Sequence, residues 1–173
     1  TSLVYSTTAG EALNPDIFEF WKEHTGLTIY EGFGQTETPL TIANLTNSVP
    51  RPGSMGKPVP LYTIHILRDD GTRCNTGETG EICIKGEPKM PGLMLEYYLD
   101  DEKTAAAMHD GWYHTGDTAW CDEDGYFWYV GRNDDVIKSS GYRIGPFEIE
   151  SVMLEHDAVA ECAVTGVPDE LRG

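Results

Sequence analysis

At 173 residues, with 39% hydrophobic and 10% aromatic side chains, the chain can bury one sizeable core or a core plus part of a second, which excludes a disordered polymer. A formal net charge of −17, from 29 acidic and 12 basic residues, excludes nucleic acid and anionic membrane surfaces as general partners, because phosphate binding needs a basic face. No apolar segment approaches the roughly 20 residues of a membrane span, and the four scattered cysteines lack a CxxC pair, which predicts a reducing, cytoplasmic setting over a disulfide framework or a zinc site.

The chain begins at Thr1 inside an apolar run and ends at Gly173 just after PDELR, so an internal piece of a longer protein is expected. Leu3 to Thr8 reads as a short strand that turns through Ala9, Gly10 and Glu11. Asn14 is a suitable N-cap and Pro15 the first residue of a helix with Ile17, Phe20 and Trp21 as its apolar face, ending at Gly26. Leu27 to Tyr30 reads as the next strand. Strand, helix, strand predicts an α/β layer whose functional loops lie at the carboxyl ends of the strands.

At that end sits EGFGQTET, residues 31–38. Gly32 and Gly34 let a flat ligand approach the backbone, Phe33 can stack on a base, Thr36 can donate to a phosphate and Glu37 can ligate Mg²⁺. A glycine-rich turn with a solvated glutamate fits the same residues. From Pro50 the texture changes: PRPGSMGKPVP reads as a turn-rich link, and GSMGK lacks the spacing of a phosphate-binding loop. Tyr62–Leu67 and Glu81–Ile84 alternate as strands around an Asp69-Asp70-Gly71 turn, a short helix is expected over Glu102–Met108, and a turn over 122–125 precedes an aromatic strand ending at Gly131. These predict a β-rich subdomain from about 50 to 130. His109, His114 and Asp117 are close in sequence without a recognised metal-ligand spacing.

Gly131 to Glu150 concentrates cations, glycines and a polar link. Arg132, Lys138 and Arg143 are local positive charges in an acidic chain, suited to holding an anion, and Asn133-Asp134-Asp135 suits an exposed segment whose backbone can rotate. Gly145 and Pro146 open a helix with Ile149, Val152 and Met153 as its apolar face, running to about Glu155, and the apolar run Ala158–Val167 reads as a further strand. A plain hairpin and helix with solvated charges accounts for this stretch equally.

Taken together, GFGQTE (32–37), WYHTGD (112–117) and GRNDDVIKSSGYRIGPFEIE (131–150) resemble the AMP-forming acyl-CoA synthetases of the adenylate-forming superfamily, and AGEALN (9–14) and GETGEICIKG (77–86) extend the likeness along nearly the whole chain. Within that family the wording is most similar to medium-chain and branched-chain acyl-CoA synthetases, with acetyl-CoA synthetases as near neighbours. The resemblance implies an α/β fold with a β-rich subdomain: the end of a large N-terminal domain (1–49), a distorted β-barrel-like subdomain (50–131), a hinge (132–135) and the start of a small α+β C-terminal domain (136–173).

The resemblance also implies ATP-dependent activation of a carboxylic acid as acyl-AMP, then transfer to CoA, with Mg²⁺ as cofactor. Gly10, Glu11 and Ala12 would line the adenine pocket together with the Glu31, Gly32, Phe33, Gly34 and Gln35 stretch, Phe33 stacking on the ring. Thr36 would bind the α-phosphate, Glu37 the Mg²⁺, Asp117 both ribose hydroxyls with help from Arg132, and Arg143 the phosphate. Asp134 would be the pivot, and Ser140 and Gly141 would border CoA. Acetate-specific relatives carry Trp where Gly34 stands, so a longer, branched or aromatic acid is expected. The family's pyrophosphate loop and late lysine do not occur, so the 173-residue piece by itself is expected not to make acyl-AMP. The rival readings are a non-catalytic nucleotide-binding or interaction module and an adenylation enzyme with another acceptor. No feature sets an oligomeric state.

Overall fold

The computed structural model describes residues 2–86 and 90–169. A nine-stranded sheet organises it. Its strands are β1 (Ser6–Ala9), β2 (Ile29–Phe33), β3 (Ile42–Ala43), β4 (Ser54–Pro58), β5 (Ile64–Leu67), β6 (Gly80–Lys85), β7 (Met108–His109), β8 (Trp112–Cys121) and β9 (Phe127–Arg132). The hydrogen-bonded order is β1-β2-β3-β4-β9-β8-β6-β5, with β7 also on β8. β10 (Ile137–Ser139) and β11 (Tyr142–Ile144) form a separate hairpin, and the helices are α1 (Pro15–Thr25), α2 (Asp101–Ala107) and α3 (Pro146–Leu154).

The expected strand-helix-strand unit is present: β1 and β2 pair in parallel through α1, and the other pairings are antiparallel. Asn14 Oδ1 accepts the Asp16 N–H at 2.8 Å and Pro15 opens α1, as the capping pattern predicts. The expected apolar face is corrected. Ile17 and Phe20 are exposed and Phe18 is the buried residue, because the apolar arc of α1 is wider than two short strands can cover. Trp21 reaches back to give its indole N–H to Ser6 Oγ at 3.1 Å.

PRPGSMGKPVP, expected as a link, contains strand β4, which joins β3 on one side and β9 on the other. Long-range pairing overrides its turn-rich composition. The β-rich part is an open path and not a barrel: among the described residues β1 and β5 are its two ends. Its core is aliphatic and continuous, with Ile64 opposite Ile84 and Ile66 opposite Ile82 across β5 and β6, packed with Ile42, Met55, Tyr113 and Phe127. The four isoleucines and Tyr113 are each 6% exposed or less, so the side chains of alternate positions are removed from water and the register cannot slip by one residue.

Two expectations near the carboxyl end are corrected. Ile149, Val152, Met153 and Leu154 of α3 are exposed, and Phe147, Glu150 and Ser151 are half-buried on the wall of a cleft. Apolar spacing says which residues share a side, but the side that faces in is set by Glu150, whose Oε1 accepts the Val164 N–H at 2.8 Å. Ala158–Val167 forms no strand, although Gly166 lies close to Ile137 of β10. Residues 170–173, the last of the expected C-terminal unit, lie outside the described residues.

Candidate functional site

A cleft of about 750 Å³ opens where the carboxyl ends of β1 and β2 meet β8, β9 and α3. Gly10, Glu11 and Ala12 come from the turn after β1, Glu31, Gly32 and Phe33 from β2, Gly34 and Gln35 from the loop behind it, Asp117 from β8 and Arg132 from the end of β9. Ten of the residues singled out in the sequence thus share one cavity. Glu31 to Phe33 belong to a strand and not to the expected turn, so their positions are fixed by pairing with β1 and β3.

Glu31 is buried on the cleft wall and accepts the Leu13 N–H at 3.1 Å. Burial pushes its carboxyl up to about 7, only partly offset by that hydrogen bond. Asp117 is buried too, and burial raises its carboxyl above the usual range against the pull of three partners: the Tyr129 hydroxyl on Oδ1 at 3.1 Å, Gln35 Nε2 on Oδ2 at 2.6 Å and the charge of Arg132. Arg132 stands opposite Asp117 in the β8–β9 register and pairs with Asp134 at 3.0 Å. An acceptor carboxylate beside a guanidinium at the end of a strand pair is chemically suited to a diol flanked by an anion.

The remaining sequence-selected residues stand outside the lining of this cleft. Thr36 is exposed in the loop between β2 and β3, and Glu37 is turned aside to accept the Tyr97 hydroxyl at 2.8 Å. Arg143, expected on a phosphate, instead gives two hydrogen bonds to Asp69, at 3.0 and 2.8 Å, because the β10–β11 hairpin directs it towards the 68–72 turn. Ser140 and Gly141 form the exposed tip of that hairpin. Asp134 lines a second cavity, of about 990 Å³, between β9, the hairpin and the 164–169 segment.

Gly34 needs its missing side chain for a reason other than an open pocket. A Cβ there would lie 2.4 Å from Pro39 O, so the 35–40 turn closes over this position, and a bulky residue requires that turn to move.

For a metal, the donor set among the described residues is Glu81, Cys83 and His114, with atoms within 4.8 Å of one another. It includes His114 but neither His109, which stacks on it with ring centroids 3.8 Å apart, nor Asp117. Both Glu81 oxygens are already used, one on the Gly116 N–H at 2.9 Å and one on His114 Nδ1 at 2.8 Å. Burial and the Glu81 charge push the Cys83 thiol up, away from the thiolate that metals bind. The trio therefore acts as a strut beneath the Gly116–Asp117 corner.

Sequence reading missed Phe147 and Glu150, which α3 brings to the cleft, and Tyr129 and Tyr113, which hold Asp117 and Gln35. For Tyr113 a signal existed: it lies four residues before Asp117 in a strand, so period-two alternation puts both on one face.

Comparison with known proteins agrees with this geometry. The family model for AMP-binding enzyme matches residues 1–98, and that for AMP-binding enzyme C-terminal domain matches 148–173. The chain is 49% identical over 173 residues to the mitochondrial acyl-coenzyme A synthetase ACSM3 of Rattus norvegicus, covering 99% of this chain and 30% of that protein. Among solved structures, the anthranilate CoA ligase AuaEII in complex with anthranoyl-AMP superposes with a TM-score of 0.85 at 38% identity, over 94% of this chain and 30% of that one. The o-succinylbenzoate coenzyme A synthetase MenE of Bacillus subtilis, in complex with ATP and magnesium ion, superposes with a TM-score of 0.83 at 34% identity, over 96% and 34%. The chain thus spans about 30% of the length of the curated relatives it matches. No helix among the described residues is long and apolar enough to cross a membrane. With a family match running unbroken through β1, α1 and the glycine-aromatic stretch of the cleft, the chain belongs to the AMP-binding enzyme family.

Proposed function

We propose that the protein carrying this chain is an AMP-forming acid–thiol ligase, which activates a medium-chain, branched or aromatic carboxylic acid with ATP as acyl-AMP and passes the acyl group to CoA. The observation that carries this reading is the convergence of Gly10–Ala12, Glu31–Gln35, Asp117 and Arg132 on one cleft. The printed ligands of the two solved relatives, anthranoyl-AMP and ATP with magnesium, support a nucleotide there.

In this reading Gly10, Glu11 and Ala12 border the adenine and Phe33 stacks on it. Asp117 accepts the ribose hydroxyls with Arg132 beside it, and Thr36 donates to the α-phosphate. Glu37 would hold Mg²⁺, which supplies charge neutralisation for attack of a carboxylate on a polyanion. The chain divides at 49/50, at 131/132 and at 135/136, and Asp134 is the pivot between a body that grips nucleotide and a small domain of which 136–173 is the beginning. Rotation there would free Arg143 from Asp69 for the phosphate and carry Ser140 and Gly141 to the CoA path. Four cysteines free of disulfides support a reducing compartment, the cytoplasm, although the rat relative is a mitochondrial protein.

The test is a ligation panel on the intact protein with ATP, Mg²⁺, CoA and acids from acetate to decanoate and benzoate, reading thioester, AMP and pyrophosphate. The expected result is acid-dependent release of AMP and pyrophosphate, with acids longer than acetate preferred and with Asp117→Asn raising the KM for ATP about tenfold or more. Formation of ADP, or no acid-dependent turnover of ATP, overturns the proposal.

A further inference from the structure

The GETGEICIKG stretch (77–86) carries part of the family likeness, yet none of the roles assigned above uses its Glu81. Glu81 lies where β6 and β8 fall out of step. It stands opposite Thr118, and Cys83 stands opposite His114, so Ile82 faces three residues, Thr115, Gly116 and Asp117. The surplus residues of β8 bulge, and Asp117 is thereby carried to the cleft lining. Side chains supply partners to the amides of this bulge. The Gly116 N–H donates to Glu81 Oε1 at 2.9 Å and the Asp117 N–H to Thr115 Oγ1 at 3.1 Å, while the Thr115 hydroxyl donates to Ile82 O at 2.8 Å. The other Glu81 oxygen lies 2.8 Å from His114 Nδ1, so the carboxylate is fixed at both ends.

Gly116 is tied on its other side as well. Its carbonyl oxygen accepts the Asn133 N–H at 2.7 Å, and Asn133 belongs to the 132–135 segment assigned as the pivot. Beyond it the Asp135 and Val136 N–H groups turn back to Arg132 O at 3.1 and 3.0 Å. One glycine thus stands between Glu81, the aspartate of the cleft and the pivot segment. Tyr129 and Gln35 hold the tip of Asp117, whereas Glu81 holds the main chain from which that side chain projects. A hydrogen bond weakens steeply once its acceptor is misaimed, so the placing of this backbone bears directly on any hydroxyl bound there.

We propose that Glu81 is a positioning residue, which grips the Gly116 N–H so that Asp117 is aimed at the ribose diol and Asn133 is clasped to the same corner, coupling nucleotide binding to the freedom of the pivot. This rests on the nucleotide reading of the cleft. Glu81 itself touches no reacting atom. The coupling is reciprocal: a nucleotide held by Asp117 steadies the corner and with it Asn133, and a corner already steady binds the nucleotide more tightly.

The experiment uses the intact protein without Mg²⁺ or CoA, and reads calorimetric binding of AMP and 2′-deoxy-AMP together with tryptic cutting after Arg132, measured against cutting after Lys103. In wild type, AMP is expected to bind more tightly than 2′-deoxy-AMP and to slow the cut after Arg132. Glu81→Ala is expected to weaken AMP about tenfold, to shrink its advantage over 2′-deoxy-AMP, and to speed the cut after Arg132 relative to Lys103. Glu81→Gln keeps an acceptor for the Gly116 N–H and is expected to restore AMP affinity to within about threefold. Faster cutting at both sites with proportionate loss of both ligands would mark general loosening, and it overturns the inference. So does a Glu81→Ala protein that keeps wild-type affinity and cutting, or a Glu81→Gln protein as impaired as Glu81→Ala. Selective cutting after Arg132 in Glu81→Ala, with no AMP binding by wild type, would instead overturn the nucleotide reading and leave the clasp of Asn133 standing.

Discussion

Glu31 carries the sharpest single-residue consequence of the fold. In the middle of β2, on the wall of the cleft, it is 5% exposed, and burial pushes its carboxyl up from 4.5 to about 7. The folded state therefore holds a proton that the unfolded chain releases, so stability is highest below about 4.5 and falls as pH rises to about 7. The full loss is of the order of 3 kcal/mol, converted from the pKa difference. Glu31→Gln keeps an acceptor for the Leu13 N–H and removes the charge. Urea unfolding should show the variant gaining on wild type as pH is raised from 5 to 8, and a pH-independent difference between the two would sink the assignment. In the sequence Glu31 was one of eight residues in a loop-like run. That it is a buried carboxylate depends on tertiary contacts such as the Leu13 N–H on its Oε1, eighteen positions earlier in the chain.

At the scale of elements, β4 is the junction of the sheet, because among the described residues it is the strand that joins the β1–β3 part to the β-rich part. A register shift between Ser54 and Gly56 lets it serve both neighbours. Gly56 has φ +101, and a Cβ there would stand 2.2 Å from the Ala43 backbone, so the crossing strands touch main chain to main chain. Gly56→Ala should cost about 3 kcal/mol, combining left-handed strain with a clash against backbone that cannot move aside. Gly71→Ala, at φ +78 with nothing within 4 Å of its Cβ, should cost only about 1 kcal/mol of strain. Equal losses of unfolding free energy in the two variants would show that strain alone decides. Gly56 reads as part of a link for the same reason that it works in the strand: only a residue without a Cβ permits so close a crossing.

For the whole molecule, the decisive geometry is that Arg143 is ion-paired to Asp69, outside the lining of the cleft, while Asp134 is paired with the cleft residue Arg132. If the 132–135 segment is the pivot of an enzyme with two half-reactions, Asp134→Pro in the intact protein should impair one of them at least about tenfold more than the other, because proline fixes φ where rotation is needed. Pyrophosphate exchange reads the first step and thioester formation from supplied acyl-AMP the second, and an equal fall in both would place the pivot elsewhere. From residues alone one can read the α1 cap, the parallel β1–β2 unit, the alternating β5 and β6, and the short motifs that carry the family likeness, because each depends on neighbours within a few positions or on a recurring pattern. Which side of α1 and α3 faces in, the strand hidden in 54–58, the buried state of Glu31 and the hydrogen bonds of Tyr97 to Glu37 and of Tyr113 to Gln35 were decided only by tertiary structure. Each of these depends on groups dozens of residues apart meeting across a sheet, and local propensity carries no record of which distant edge a strand will find.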